Sequence, residues 1–341
     1  MAHSRLELTR RQILAFRRRA GGLDERSPKS AESLRRAAWA GLQDSMPRAA
    51  LLSLHARVDG IEPSTLDDPS LAQLWGPRYH TYVVAKRDFA LFSLGRHPEP
   101  GKARDRAERI AAQLHAALDG ERRLDRDVGL ALGMDPNAFK YAATTGTLAI
   151  RWDGARAPEI WTVAAAGVDP DQAGRELARR HLHVFGPTTA AGLARWAGIS
   201  KRAAASAYAS LEPSLLPVRT PLGDEWLLAE DEAAMRADPF APAPARLLPS
   251  GDAHFLLDGA ERELLVARAD RRALLWTSRV WPGALLLDGE VRGTWRRSQH
   301  VVRVETWGRV SRAERDAVDT EARTLPLPVD RAIEVAWGTP A

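Results

Sequence analysis

The chain contains no cysteine. That absence excludes disulfides, thiolate zinc sites and cysteine nucleophiles together, and it suits a reducing compartment. No apolar run approaches the ~18 to 20 residues that a membrane helix needs, so no membrane partner is expected. The opening stretch MAHSRLELTRRQILAFRRRAGG threads arginines through its apolar positions and offers no small-residue cleavage site, so no signal peptide is expected either. A cytoplasmic protein follows. Lysine is scarce, at five of the 49 basic residues, and no glycine-serine or charged low-complexity linker divides the chain.

What is present fits a globular protein of two or three domains: 341 residues, 45% hydrophobic and 27% charged. The net charge of +5 is unevenly spread. Residues 1–57 hold 12 Lys or Arg against 5 Asp or Glu, and the remainder holds 37 against 39. A locally basic end attracts phosphates and releases their counterions, which points to nucleic acid as a partner. An arginine- and alanine-rich chain can also reflect genome composition.

One local grammar recurs. From Ala103 to Val163, ARDRAERIAAQLHAALDG, LDRDVGLALG and DPNAFKYAATTG read as helices, and TLAIRW and PEIWTV as strands around Asp153-Gly154. Between Pro170 and Glu230, GRELARRHLHVFG, TTAAGLARWAG and SKRAAASAYASL read as helices, and LLPVRT and EWLLAE as strands. Thr188 or Thr189 can cap the second of these helices, Gly198 supplies a turn and Ser200 caps the third, which is helix-turn-helix chemistry. Lys201 and Arg202 then stand in the first turn of a recognition helix. In the first hundred residues, Leu8 to Arg19, Ala31 to Ala40 and Pro47 to Val58 are expected helices, and VVAKRDFALFSLG is a strand pair or a strand and helix. After Pro239 the segment FAPAPARLLPSGD leads to short strands HFLLDG, ELLVA, GALLLDG, EVRGTWRR and HVVRVETW. Asp288-Gly289 is a hairpin signal, and Ser311 to Arg323 is a closing helix with Ser311 and Glu314 in capping-box positions. The expected fold class is α+β: tandem winged helix-turn-helix units at 1–102, 103–168 and 169–238, followed by a C-terminal antiparallel β region at 239–341.

The stretch GLQDSMPRAALLSLHARV, Gly41 to Val58, supports two readings. Ser45 or Met46 lies at a helix start, Pro47 suits a first turn and Asp44 favours the helix dipole, so Gln43-Asp44-Ser45 reads as a cap. The same three polar side chains also read as a catalytic group. His55 is either an imidazole facing that site or a structural histidine among Leu51, Leu52, Leu54 and Val58. His181 and His183 are two apart, not at the i, i+4 spacing of a helical metal pair, so no metal is proposed. Trp75, Trp281 and Trp295 are core residues or stacking platforms.

Five segments then carry a resemblance. LTRRQILAFRRRAGGL, GLQDSMPRAALLSLHARV, LWGPRYHTYVVAKRD, LLPSGDAHFLL and RVWPGALLLDGEVRGTWRR, in that order, resemble the AlkZ and YcaQ family of winged-helix DNA glycosylases. The similarity runs nearly the whole chain, and its specificity lies in order and spacing. It implies winged-helix units around a basic concave surface that holds duplex DNA, in a monomer with no cofactor. The implied reaction is hydrolysis of the N-glycosidic bond of alkylated purines, chiefly N7-alkylguanine and in some members interstrand crosslinks, without extrusion of the base. The family's Gln-x-Gln or Gln-x-Asp motif falls on Gln43-Asp44-Ser45. Gln43 matches the first glutamine, and Ser45 stands where the family has glutamine or aspartate. Asp252 of LPSGD matches another motif position, with a turn or cap as its default role. The DNA-facing candidates are Arg48, His55, Lys201, Arg202, Arg296 and Arg297, the last two on a C-terminal hairpin that approaches DNA in the family or is simply a charged, solvated edge.

The implied chemistry sets the roles. N7 alkylation makes guanine a cationic leaving group, so the task is to position water and stabilise an oxocarbenium-like sugar. A glutamine amide holds water, whereas a carboxylate also accepts its proton, a contribution of roughly 100- to 10,000-fold. Ser45 offers one short hydroxyl. Asp44 offers a carboxylate at the middle position, which points away from its neighbours on either an extended or a helical segment. The alternative reading is a winged-helix DNA-binding protein, regulatory or catalytically degenerate, that grips the duplex without cutting the bond.

Overall fold

A mixed α and β architecture with three sheets emerges from these patterns in a computed structural model that describes residues 5–338. Residues 1–4 and 339–341, at the outer ends of the first and last expected units, lie outside the described residues. The first three-helix stretch contains Lys102–Leu118, Asp125–Leu132 and the short Phe139–Ala142, followed by antiparallel strands Leu148–Arg151 and Glu159–Thr162. In the second, helices Pro170–Phe185, Ala190–Ala197 and Lys201–Leu211 precede antiparallel strands Leu215–Thr220 and Gly223–Leu228. Thr189 accepts the Gly192 amide, Gly198 turns at φ +71 and Ser200 accepts the Ala203 amide. These bonds satisfy donors that helix starts otherwise leave orphaned.

Sheet pairing crosses the expected unit boundaries. Gln73 in Leu71–Trp75 pairs with Ile150, so the amino-terminal region and the first three-helix stretch share one six-stranded sheet. The strand Leu6–Glu7 pairs in parallel with Val218 and Arg219, which attaches the start of the chain to the second hairpin. VVAKRDFALFSLG resolves as a strand, Thr81–Ala85, then a helix, Phe89–Leu94.

The C-terminal region departs from expectation in several places. HFLLDG and ELLVA are not strands: Ala253–Phe255 is a helical turn capped by Asp252, and Ala260–Leu265 is a helix. Glu261 and Glu263 occupy its first turn, where the helix dipole favours acid. Leu264 and Leu265 are both buried, which a strand would have sent to opposite faces. Strands Gly283–Leu287, Glu290–Ser298 and Val301–Thr306 form the expected antiparallel sheet, with Asp288-Gly289 at positive φ in the turn, and Arg246–Leu248, inside the segment read as a connection, adds an unexpected strand at its edge. Its last strand, Glu334–Trp337, is instead parallel, because the helix Arg312–Arg323 carries the chain back across the sheet.

Part of the amino-terminal arginine excess is used inside the fold. Arg17 is buried and donates to the carbonyls of Gly186 and Pro187, Arg18 pairs with Asp24, Arg26 with Glu321 and Arg35 with Asp88. Local charge therefore marks tertiary cross-links in part, and the exposed Arg11, Lys29 and Arg36 remain at the surface.

Two buried carboxylates set the geometry around Gln43. Asp252 accepts two bonds from Arg57, at 2.7 and 2.9 Å, and one from Ser53 at 2.7 Å, which fixes the loop Pro249–Asp252 to the helix Ala49–His55. Asp44 is buried, accepting the Ala50 amide at 3.0 Å and the Gln73 amide at 2.9 Å. The helix start differs from expectation accordingly. Arg48 occupies the N-cap position at φ +66 without a capping bond, Pro47 lies outside the helix, and the capping side chain is Asp44 rather than Ser45. Arg57→Met, which strands the Asp252 carboxylate, should lower unfolding free energy by about 3 to 5 kcal/mol in urea titrations. Asp44→Ala strands two donors and should cost about 2 to 4 kcal/mol, whereas Ser45→Ala should change stability by less than about 0.5 kcal/mol, as a surface substitution does.

Candidate active site

The short strand Leu42–Gln43 pairs with Thr81–Ala85, and the Asp44 amide donates to the Thr81 carbonyl at 2.7 Å. On this extended backbone successive side chains alternate. Asp44 turns inward, and burial pushes its carboxyl up to about 6 against the opposing pull of the Ala50 amide, Arg151 and Gln73. Gln43 and Ser45 are half-buried and meet the alternate residues of the neighbouring segment. Arg78 donates to Oε1 of Gln43 at 3.3 Å, Tyr82 donates to the same oxygen at 3.5 Å, and Nδ1 of His80 lies 3.1 Å from Oγ of Ser45.

Several tight approaches hold this arrangement. Arg78 and Tyr79 take positive φ of 53° and 59°, which non-glycine residues rarely adopt away from functional loops. The Tyr82 ring lies against Gly41 and Gly76, where any Cβ would come within 2.9 and 2.8 Å of it. Gly251, at φ +80, brings the loop held by Asp252 to the Gln43 amide: a Cβ there would lie 3.4 Å from Nε2. Gly198 of the helix-turn-helix stretch packs on the Arg78 backbone, and Gly154 of the first hairpin packs on Pro47. The site thus sits where all the major segments converge.

Its rim is cationic. Arg78 is 3.7 Å from Asp258 and supports Gln43 from one side. Arg297 is pushed below the ordinary arginine range by partial burial and then by the Arg48 cation, with no carboxylate offsetting it. Arg296 is exposed and donates to the Val280 carbonyl at 3.0 Å. A cleft of about 390 Å³ is lined by Trp75, Thr81, Asp125, Asp135, Lys140 and Trp152, of which Thr81 follows His80 in the chain. A larger cavity of about 620 Å³ lies beyond Gln73, lined by Arg122, Arg151 and Trp161, and does not include Gln43.

Other residues singled out from sequence lie elsewhere. His55 is buried, with Nε2 near Arg26 at 3.0 Å and Thr324 at 3.2 Å, and its pKa is lowered to about 3 by burial and then by Arg26 and Arg246. That placement joins the helix Ala49–His55 to the closing helix. Lys201 and Arg202 are both exposed in the first turn of the expected recognition helix, and Arg202 makes a surface ion pair with Glu99 at 2.7 Å. Trp75 and Trp295 are buried, Trp295 donating to the Leu248 carbonyl, and Trp281 is half-buried under Arg262. His181 stacks between Phe185 and Trp196, whereas His183 bonds to Asp231. Among the described residues no group of three or more His, Asp or Glu forms a metal site, and no helix is long and apolar enough to cross a membrane. Sequence reasoning assigned no role to Arg78, His80 or Tyr82. Strand pairing sets Tyr82 opposite Gln43, and the left-handed turn at Arg78 and Tyr79 brings Arg78 and His80 back to the same two residues, a placement that no local spacing in RYHTY announces.

A comparison with curated proteins finds no match. Among solved structures, the Streptomyces sahachiroi DNA glycosylase AlkZ has a similar fold, with a TM-score of 0.80 at 19% identity over 98% of this chain and 100% of that one. Residues 36–326 match the AlkZ-like DNA glycosylases, a span that holds Gln43, the loop Gly76–His80, Asp252 and the arginine-bearing hairpin. The chain therefore belongs to the AlkZ-like DNA glycosylase family.

Proposed function

We propose that the protein is a monofunctional glycosylase that binds duplex DNA and hydrolyses the N-glycosidic bond of cationic, N7-alkylated purines, with interstrand crosslinks as a further substrate class. The two three-helix stretches and their hairpins act as winged helices that carry the duplex past Gln43, on the nucleoid of a cytoplasmic monomer without a cofactor. One observation carries this reading: a glutamine at the family's motif position has its oxygen engaged by Arg78 and Tyr82, which leaves its amide group for a water or the lesion. Arg48 and Arg297 are like charges brought together without a carboxylate, and a DNA phosphate is the anion that relieves them. Gln43 holds the attacking water, Ser45 is its neighbour on the same face, and Asp44 positions both from beneath. The Ser45 variation favours one alternative, a paralogue that binds duplex without hydrolysis.

Duplex DNA carrying a single N7-methylguanine separates the two. Excision should leave an alkali-labile abasic site, and Gln43→Ala should lower the single-turnover rate by about 100-fold or more with folding intact. Retained duplex binding with no abasic product at any enzyme excess defeats the enzyme reading. Arg297→Ala should weaken duplex binding and reduce the slope of log K against log salt by about one, and an unchanged slope removes Arg297 from the phosphate contacts.

A further inference from the structure

The proposed hydrolysis needs an acceptor for a water proton, and the obvious ones are occupied. The Gln43 oxygen already accepts from Arg78 and Tyr82. The Asp44 carboxylate faces inward onto Ala50 and Gln73. Asp258 lies against Arg78 and Arg262. Beside Gln43 stands the Ser45 hydroxyl, and behind it the exposed His80 ring at 3.1 Å.

We propose that Ser45 and His80 form a proton relay that replaces the carboxylate of a Gln-x-Asp site, with His80 as a positioning residue and terminal proton acceptor acting through Ser45. This rests on the glycosylase reading above. In the step, the water oxygen bonds to C1′ of the sugar as the C1′–N9 bond breaks. The bonding pair stays on N9 and cancels the positive charge of the alkylated base. One water proton passes to Oγ of Ser45 while the Ser45 proton passes to Nδ1 of His80, whose neutral ring carries its hydrogen on Nε2. The products are a sugar with a 1′-hydroxyl, a neutral alkylated base and an imidazolium. Because His80 is exposed, it returns that proton to solvent.

The surroundings suit an acceptor. His80 is held below the ordinary imidazole range first by desolvation, then by the cations Arg78 on its own loop and Lys140 from the first three-helix stretch. The ring is thus neutral at pH 7 and able to take a proton. The sign of the pH dependence follows: activity is full above the His80 pKa and falls as pH drops through it.

Three variants test the relay on the full chain with N7-methylguanine duplex under single-turnover conditions. His80→Asn keeps a hydrogen-bonding atom near the Nδ1 position but cannot take a proton. It should lower the rate by about 100-fold, leave duplex binding unchanged and remove the acidic limb of the pH profile. Ser45→Ala, which leaves the His80 loop untouched, should lose the same limb. Ser45→Asp in the His80→Asn background supplies its own acceptor and should recover most of the lost rate. A His80→Asn enzyme within about threefold of the parent rate, below the range of general-base catalysis, overturns the relay while the glycosylase reading stands. A limb near pH 6 that persists in His80→Asn assigns the titration to Asp44 and also overturns it. A parent protein that binds duplex but excises nothing overturns both.

Discussion

The buried Asp44 carboxylate is the contact on which the rest of the site depends. It joins the first turn of the helix Ala49–His55, through the Ala50 amide, to Gln73 in the neighbouring sheet. Gln73 in turn bonds the Trp152 backbone at the end of the first hairpin, so one side chain ties three segments. Burying a carboxylate is costly unless donors compensate, and the pKa of about 6 records a compensation that is incomplete. That cost holds the backbone extended for three residues and displays Gln43 and Ser45 together. The choice between cap and site dissolves on this geometry: Asp44 caps, and capping is what presents its two neighbours.

A second constraint comes from arginine. Arg57 with Asp252, Arg18 with Asp24 and Arg26 with Glu321 connect residues far apart in sequence or lock a turn, and each spends its fork of donors inside the fold. Arginine suits that use because it presents several donors in a fixed plane and stays charged when buried. Cations that stand near one another without a carboxylate then carry more information than the total charge does. Arg48 and Arg297, from opposite ends of the chain, are near enough for one cation to act on the other.

Helices were legible wherever a 3.6-residue apolar period coincided with a cap, as in Thr189 to Ala197 and Ser311 to Arg323. Strands were legible where a two-residue turn lay between apolar runs, as at Asp288-Gly289. ELLVA failed because a short apolar run has no period, and only its acidic first turn betrayed a helix. Gln43 was legible through its place in an ordered set of motifs. His80 was not, since a lone histidine in a loop acquires meaning only when strand pairing sets it across from Ser45. The cross-unit pairings, Gln73 with Ile150 and Leu6 with Val218, were hidden for the same reason: register between distant strands is not a local property.

On the proposed reaction, the charge balance of the displayed face bears on which bonds the protein can break. Two carboxylates near Gln43 are committed elsewhere: Asp44 is turned inward and Asp258 lies against two arginines. Positive charge developing on the sugar therefore meets dipoles, a neutral histidine and the Arg78 cation rather than a free anion, a poor counterweight in a water-poor site. A neutral base would also need protonation before leaving, and neither Asp44 nor Asp258 is placed to supply it. A purine that is already cationic needs neither form of help, because it leaves as a neutral molecule. Selectivity for alkylated bases then requires no pocket that reads the alkyl group. It follows from a site too weakly equipped to break an ordinary glycosidic bond, which also protects the undamaged bases of any duplex lying on the same surface.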